Sequence, residues 1–188
     1  RNSWKINRLS SPRLIKSHTW YRSQLPKVLY LMRDGRDVVV SLYHYYITRE
    51  GQQKTFEQFI LDYLDGKYGQ IWHDHISGWL TSGKQRLGNN FLGIRFEEMK
   101  DNPVLALQDA VEFLSISADP GRLKKAVELS DLTRMRKIEN QRRGSVENIN
   151  QSFYRGGRSG DWSDYFSASL MEKFMEAVGN DLRLAGYH

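Results

Sequence analysis

The chain has 188 residues, a formal net charge of +6 and no cysteine. This length suits one domain with a sizeable core, and 39% hydrophobic residues exclude a disordered chain. The absence of cysteine excludes disulfides and thiolate metal sites and favours a reducing compartment, so we expect a cytoplasmic location. No apolar run approaches the ~20 residues that span a bilayer. The positive charge favours an anionic partner, such as a nucleotide phosphate, sulfate, nucleic acid or an acidic glycan, without choosing among them.

Strands and helices are predicted to alternate along the chain. Residues 13–15 predict a short strand, residues 28–32 a strand buried on both faces, and residues 37–48 a helix after the turn at 34–35. This alternation predicts an α/β fold with a mainly parallel β-sheet. The same periodicities predict a buried strand at 91–94 and helices at 56–64, 71–80, 103–114, 123–129 and 168–185.

Two segments combine features that suit phosphate binding. Residues 155–162 read R-G-G-R-S-G-D-W, in which glycines allow close approach of the backbone and arginines offer charged forks. The alternative is an exposed flexible loop. Arg33 ends a predicted buried strand and Ser41 lies about two turns into the next helix, where the free N–H groups of a helix start favour anions. The alternative there is a solvated arginine and an ordinary helical serine.

The histidines differ in what their surroundings predict. In an extended segment Lys16 and His18 lie on one face, where the imidazole can take a proton from an alcohol and the ammonium can offset negative charge. His44, His73 and His75 are interpreted as structural. His73 and His75 are two residues apart on a predicted helix and do not share a face, so no metal site is predicted.

Residues 78–85 nearly fit the phosphate loop of nucleoside triphosphatases. They read G-W-L-T-S-G-K-Q, so Gln85 stands where the loop needs a serine or threonine that binds magnesium. The segment also follows a helical pattern rather than a strand. We therefore interpret it as a helix end and loop, with Gly83 as the cap.

Four segments, in order, resemble motifs of the sulfotransferases that use 3′-phosphoadenosine 5′-phosphosulfate (PAPS). Residues 12–18 (P-R-L-I-K-S-H) resemble P-R-L-x-K-T-H, residues 96–103 resemble Y-E-D-M-K-E-N-P, residues 155–162 resemble R-K-G-x-x-G-D-W, and residues 30–41 resemble a segment that holds the nucleotide 3′-phosphate. The resemblance implies a single sulfotransferase domain over residues 1–188, with a parallel sheet flanked by helices as in P-loop kinases. It implies sulfuryl transfer from PAPS to a hydroxyl or amine, with adenosine 3′,5′-bisphosphate as the product.

The resemblance also implies roles for individual residues. His18 becomes the catalytic base, and Lys16 stabilises the leaving phosphate. The cofactor-binding residues it implies are Arg33, Ser41, Phe96, Ser130, Leu132, Arg155, Gly156 and Gly157. The implied acceptor is a small molecule or a glycan, with no nucleic-acid or membrane partner.

This sequence departs from the family pattern in several places. Gly156 stands where many members have lysine, Phe96 replaces a tyrosine, and Leu132 replaces a phenylalanine. Of the family's dimer motif only the glutamate, Glu172, is kept, so the oligomeric state is left open. The 5′-phosphosulfate loop P-K-S-G-T-T-W does not occur. We therefore expect the C-terminal portion of a longer domain, inactive alone. The alternatives are a non-catalytic domain that binds a nucleotide or sulfated ligand, and a basic module that binds nucleic acid or heparin.

Overall fold

Two parallel strands form the β-sheet of the part of the chain that the structure, a computed structural model, describes. The described residues are 13–69, 72–143 and 156–188. Strand β1 (Val28–Met32) pairs with β2 (Phe91–Arg95), with Val28 opposite Phe91. Helices separate the two strands along the chain, because parallel neighbours need a crossover connection. The predicted α/β fold is confirmed.

Helices make up most of the remaining described residues. Their bounds are α1 (Gly35–Arg49), α2 (Phe56–Leu64), α3 (Trp72–Gly78), α4 (Lys84–Leu87), α5 (Phe96–Asp101), α6 (Pro103–Phe113), α7 (Pro120–Leu129), α8 (Leu132–Arg143) and α9 (Ala168–Leu184). A π-helical turn (Trp79–Gly83) joins α3 to α4, and 3₁₀ turns lie at Gly88–Asn90 and Asp161–Asp164. None of the described helices combines the length and the apolarity that a bilayer crossing requires.

Side chains that cap helix N-termini explain where several helices begin. The carboxylate of Asp34 accepts the backbone N–H of Arg36 at the start of α1, and Ser167 accepts the N–H of Leu170 in α9. At α2, Thr55 and Gln58 form a reciprocal capping box. Each cap satisfies backbone donors that have no partner within the helix.

The hydrophobic core lies where β1 meets α1, α2, α3 and α9. Both α2 and α9 are amphipathic, and their apolar stripes face this core. Its most buried members include Val39, Phe59, Ile60, Tyr63, Ile76, Phe174, Val178 and Leu182. Burial raises the pKa of Tyr63 to about 12, and its hydroxyl accepts the backbone N–H of Trp72 at 2.7 Å. The start of α3 is thereby fastened to the core.

Two expectations from the sequence are wrong. Residues 13–15 form no strand, because within the described residues β1 and β2 pair only with each other, and Leu14 is 73% exposed. Gly83 does not end a helix: it is buried within the π-helical turn, and the chain continues into α4. The turn after α4 instead uses Gly88, which has a φ of +51°.

Candidate functional site

Arg33 lies directly after β1, at the carboxyl end of the sheet. Its guanidinium stacks on the ring of Phe96 at 4.7 Å. Its Nη2 donates to Oδ2 of Asp37 at 3.2 Å and to the backbone carbonyl of Arg158 at 2.7 Å. In the described part of the chain, Nε of Arg33 is buried and has no hydrogen-bond partner. A buried N–H on a cation costs free energy until an acceptor meets it, and an anion is the acceptor best suited to do so.

Asp37 fastens the glycine-rich loop to α1. Its side chain is fully buried, at 0% exposure. Besides Arg33, it accepts the backbone N–H of Gly160 at 2.9 Å and that of Trp162 at 3.1 Å. Sequence reasoning missed this residue, since an acidic residue in the first turn of a helix is ordinarily explained by the helix dipole. No pattern in the sequence indicates that this carboxylate is buried.

Gly157 is held tightly within the loop. Its φ is +61°, a conformation that favours glycine, and a Cβ there would lie 3.3 Å from Cδ2 of Leu132. Its carbonyl accepts a hydrogen bond from Nζ of Lys100, on the same helix as Phe96. Gly156 is exposed. Arg155, which the sequence predicts to bind phosphate, lies outside the described residues.

The predicted cofactor residues therefore fall into two groups. The structure brings Arg33, Phe96, Gly157 and Leu132 together through the loop and α5. Ser41 and Ser130 are exposed and take no part in these contacts among the described residues. The hydroxyl of Ser130, the residue that follows α7, lies 2.9 Å from the carbonyl of Ala126 and 3.1 Å from that of Val127.

Arg36 and Trp162 join the loop to the start of α1. The guanidinium of Arg36 lies over the indole of Trp162 at 4.1 Å and pairs with the carboxylate of Asp34 at 2.7 Å. It also donates to the backbone carbonyl of His188 at 3.0 Å. Because Arg36 and Asp34 are both buried, this ion pair is shielded from water and salt.

Trp72 of α3 binds the backbone of Arg33. Its indole N–H donates to the backbone carbonyl of Arg33 at 3.0 Å. A Cβ on Gly35 would lie 2.7 Å from the indole ring, so only glycine leaves room for the tryptophan at this point. The sequence predicts only that Trp72 belongs to the helix at 71–80.

Lys16 and His18 belong to an exposed segment without regular secondary structure. The next residue, Thr19, is anchored: its carbonyl accepts from Nε2 of His75 at 2.9 Å and from the indole N–H of Trp79 at 3.2 Å. On its other side, Nδ1 of His75 lies 2.8 Å from the hydroxyl of Tyr30 in β1.

The surroundings of His75 favour its neutral form. Burial lowers the pKa of His75 below its ordinary value, and the charge of His18 lowers it further, although the bond to Thr19 acts in the opposite direction. Burial also raises the pKa of Tyr30, so its hydroxyl keeps its proton and donates to Nδ1. Among the described residues, no cluster of three or more His, Asp or Glu side chains could hold a metal ion.

The sequence is similar to a series of known sulfotransferases. The sulfotransferase domain profile matches residues 3–186. Human sulfotransferase 2B1 is 33% identical over 198 residues, covering 92% of this chain and 51% of that protein. Human sulfotransferase 2A1 is 30% identical, covering 90% and 63%, and mouse sulfotransferase 1 family member D1 is 27% identical, covering 91% and 62%. The chain thus spans about three fifths of the length of these two relatives.

Solved structures show the same fold. Mouse sulfotransferase SULT7A1 complexed with PAP matches with a TM-score of 0.69 at 28% identity, covering 84% of this chain and 58% of that one. Retinol dehydratase in a complex with retinol and PAP matches with a TM-score of 0.70 at 21% identity, covering 83% and 47%, a likeness of fold alone. The resemblance drawn from the four sequence motifs is confirmed: the chain belongs to the sulfotransferase domain family.

Proposed function

We propose that this chain supplies the nucleotide 3′-phosphate site and the catalytic base of an enzyme that transfers a sulfuryl group from PAPS to a hydroxyl or amine. The observation that carries the proposal is the buried Nε–H of Arg33, which has no partner among the described residues and lies beside a glycine-rich loop. Family membership supports the same nucleotide. The SULT7A1 relative is complexed with PAP, which is adenosine 3′,5′-bisphosphate, the product left by PAPS.

The residues present fit such a ligand. Arg33 already has one face on Phe96 and one nitrogen on the loop, so its guanidinium is oriented before any phosphate arrives. Preorganised donors of this kind lose little entropy on binding. Arg155, Ser41 and the backbone of Gly156 and Gly157 would add further donors. The hydroxyl of Ser130 would have to leave the carbonyls of α7 before it could donate to a ligand.

The chemistry of the reaction falls to the segment before Thr19. When bound, PAPS supplies the sulfuryl group and departs as adenosine 3′,5′-bisphosphate. His18 would accept the proton of the acceptor hydroxyl or amine, and Lys16 would offset the negative charge that develops on the departing phosphate. Thr19 is tied through His75 to Tyr30, and Arg33 lies three residues further along, about 10 Å in an extended strand. The segment that carries His18 and the predicted phosphate site are thus both attached to strand β1.

The acceptor we propose is a small molecule or a glycan, in the cytoplasm. The first experiment addresses the 3′-phosphate site, on which the proposal depends.

Calorimetry with adenosine 3′,5′-bisphosphate tests the proposal. A hydrogen bond to a charged group contributes about 1.5–3 kcal/mol, so Arg33→Ala should weaken binding at least ~10-fold. Adenosine 5′-monophosphate lacks the 3′-phosphate, and its affinity should be the same for wild type and variant. Arg122→Ala on α7, whose side chain is 81% exposed, is the matched control and should bind as wild type does. Equal affinity of wild type and Arg33→Ala for the bisphosphate contradicts the proposal.

A further inference from the structure

We propose that His75 is a positioning residue: it fixes the segment that carries His18 by binding the carbonyl of Thr19 while the hydroxyl of Tyr30 binds the other side of its ring. The inference rests on the proposed function in one respect only, the role of His18 as the base. The anchor itself follows from contacts on α3, β1 and the segment before Thr19.

Two donors from one helical face converge on a single carbonyl. His75 and Trp79 are four residues apart, so both rings project from the same side of α3 and the π-helical turn. Both donate to the oxygen of Thr19, at 2.9 and 3.2 Å. A carbonyl with two lone pairs can accept both bonds. Thr19 is thus one point at which this irregular segment is held to the folded core, next to Tyr21, whose ring packs against that of Trp79 at 5.3 Å.

The tautomer of His75 decides whether the anchor exists. A neutral imidazole donates from one nitrogen and accepts at the other. The hydroxyl of Tyr30 donates to Nδ1, which leaves the proton on Nε2, where it meets Thr19. Tyr30 is 8% exposed and belongs to β1, so the tautomer is selected by a rigid part of the sheet. Second partners of a ring commonly fix its tautomer and orientation in this way.

The anchor lies one residue from the base. On the near side of His18, the hydroxyl of Ser17 accepts the backbone N–H of Thr19 at 3.1 Å and donates to its hydroxyl at 3.0 Å. His18 therefore lies between Ser17 and Thr19, which bind each other, and Thr19 is in turn bound to His75. The charge of His18 also disfavours protonation of His75, whose pKa it lowers. A general base must be within hydrogen-bond reach of the proton that it takes, so losing this anchor removes the placement and not the base.

The same helix supports the phosphate site. Trp72 precedes His75 by three residues and binds the carbonyl of Arg33. One face of α3 thus binds the backbone on both sides of the candidate site, next to the predicted base and at the predicted phosphate ligand. This arrangement explains why tryptophan and histidine occur where apolar residues would suffice for packing.

NMR on the ¹⁵N-labelled 188-residue chain tests the anchor without any assay of activity. In wild type, long-range imidazole spectra should show His75 with its proton on Nε2, and the backbone amide of Thr19 should have an order parameter near ~0.85. In His75→Leu this order parameter should fall below ~0.6, and the order parameter of the neighbouring backbone amide of His18 should fall with it. His75→Gln offers both a donor and an acceptor, and should restore the wild-type values.

His73→Leu is the matched control on the same helix, because the ring of His73 makes neither bond, and it should leave Thr19 and His18 unchanged. If His75→Leu does not fold, Tyr30→Phe removes only the hydroxyl, and the Nδ1–H tautomer of His75 should then rise to a detectable share. An unchanged order parameter of Thr19 in folded His75→Leu overturns the proposal, as does a wild-type His75 protonated at Nδ1. Neither result depends on nucleotide binding, so failure here is distinct from failure of the Arg33 experiment.

Discussion

Asp37 shows how much a single buried carboxylate can organise. It receives Arg33 from the end of β1 and two backbone N–H groups from the glycine-rich loop. Each of these donors offsets part of the cost of removing the charge from water. The loop that the sequence predicts to bind phosphate is therefore held by an anion of the protein itself, at the point where the neighbouring arginine would meet an anion of the ligand.

Replacing Asp37 by asparagine should release the loop. The amide has one acceptor oxygen and presents N–H groups to other donors, so at least one of the three partners loses its bond. Breaking a buried ion pair costs about 3–5 kcal/mol, and we expect a loss of stability of that order. Trypsin should also cleave faster after Arg158, whose side chain is 70% exposed in the loop. Thermal unfolding and the cleavage rate measure the two effects.

The control for this experiment is Asp164→Asn, an exposed aspartate in the 3₁₀ turn that follows the same loop. It should change neither the unfolding temperature nor the cleavage rate by more than a small amount. If Asp37→Asn leaves trypsin cleavage after Arg158 as slow as in wild type, Asp37 does not hold the loop.

The lowered pKa of His75 predicts a pH dependence of stability. Burial, the largest cause, disfavours the imidazolium in the folded state, so the unfolded chain binds more protons as the pH falls through about 6.5. Stability should therefore decrease from pH 7.5 to pH 5.5. His75→Gln removes this titration, and its unfolding temperature should fall less over the same interval. The other titratable groups that interact with His75, His18 and Tyr30, are present in wild type and in His75→Gln. Parallel curves of unfolding temperature against pH for these two proteins would therefore contradict the prediction.

At the scale of elements, the π-helical turn between α3 and α4 connects the segment before the candidate base to the core, because Trp79 of this turn belongs to the core and binds Thr19. Trp79 begins this turn and Gly83 ends it, and a Cβ on Gly83 would lie 2.9 Å from Cε3 of Trp79. The glycine is thus required for space, not for an unusual φ. The indole that the glycine accommodates is one of the two donors to Thr19.

Gly83→Ala should therefore destabilise the protein, although alanine normally stabilises a helix relative to glycine. Forcing extra volume into a packed interior typically costs about 1–3 kcal/mol. Ser82→Ala, an exposed position in the same turn, is the control and should leave stability nearly unchanged. Chemical denaturation of both variants measures the difference, and a Gly83→Ala protein as stable as wild type would show that Trp79 moves aside freely.

These elements also show where sequence patterns are sufficient. The amphipathic stripes of α2 and α9 and the apolar runs of β1 and β2 predict their own positions well, because burial on a defined face repeats along the chain. Residues 13–15 have the composition of a strand, but a strand also needs a hydrogen-bonded partner, which composition does not reveal. Helix α8 has few apolar residues, so its periodicity is too weak to detect. Asp37 and His75 depend on contacts between distant segments, which no local pattern encodes.

At the scale of the whole molecule, we expect the 188-residue chain to lack one part of a sulfotransferase site. The family meets the charge on the departing phosphate with a loop of backbone N–H groups and a lysine, and the motif of that loop does not occur in this sequence. Removing one donor of this kind costs about 10²–10³ in rate, and several are lacking here. We therefore expect the 188-residue chain alone to transfer no sulfuryl group from labelled PAPS to a panel of phenols and alcohols. A full-length relative serves as the positive control, and robust transfer by this chain would show that another of its segments binds the 5′-phosphosulfate.

The bonds between Arg33 or Asp37 and the glycine-rich loop also set an order of events during synthesis. They join residues 125 and 123 positions apart. A ribosome that adds about 5–20 residues per second needs roughly 6–25 s to make that length of chain. During this interval the nascent chain carries Asp37 without its two loop donors, while helices α1 and α2, whose contacts are local, can already form. The phosphate site should therefore be among the last parts of the molecule to assemble, and a chaperone that recognises incomplete chains would meet Asp37 still in water.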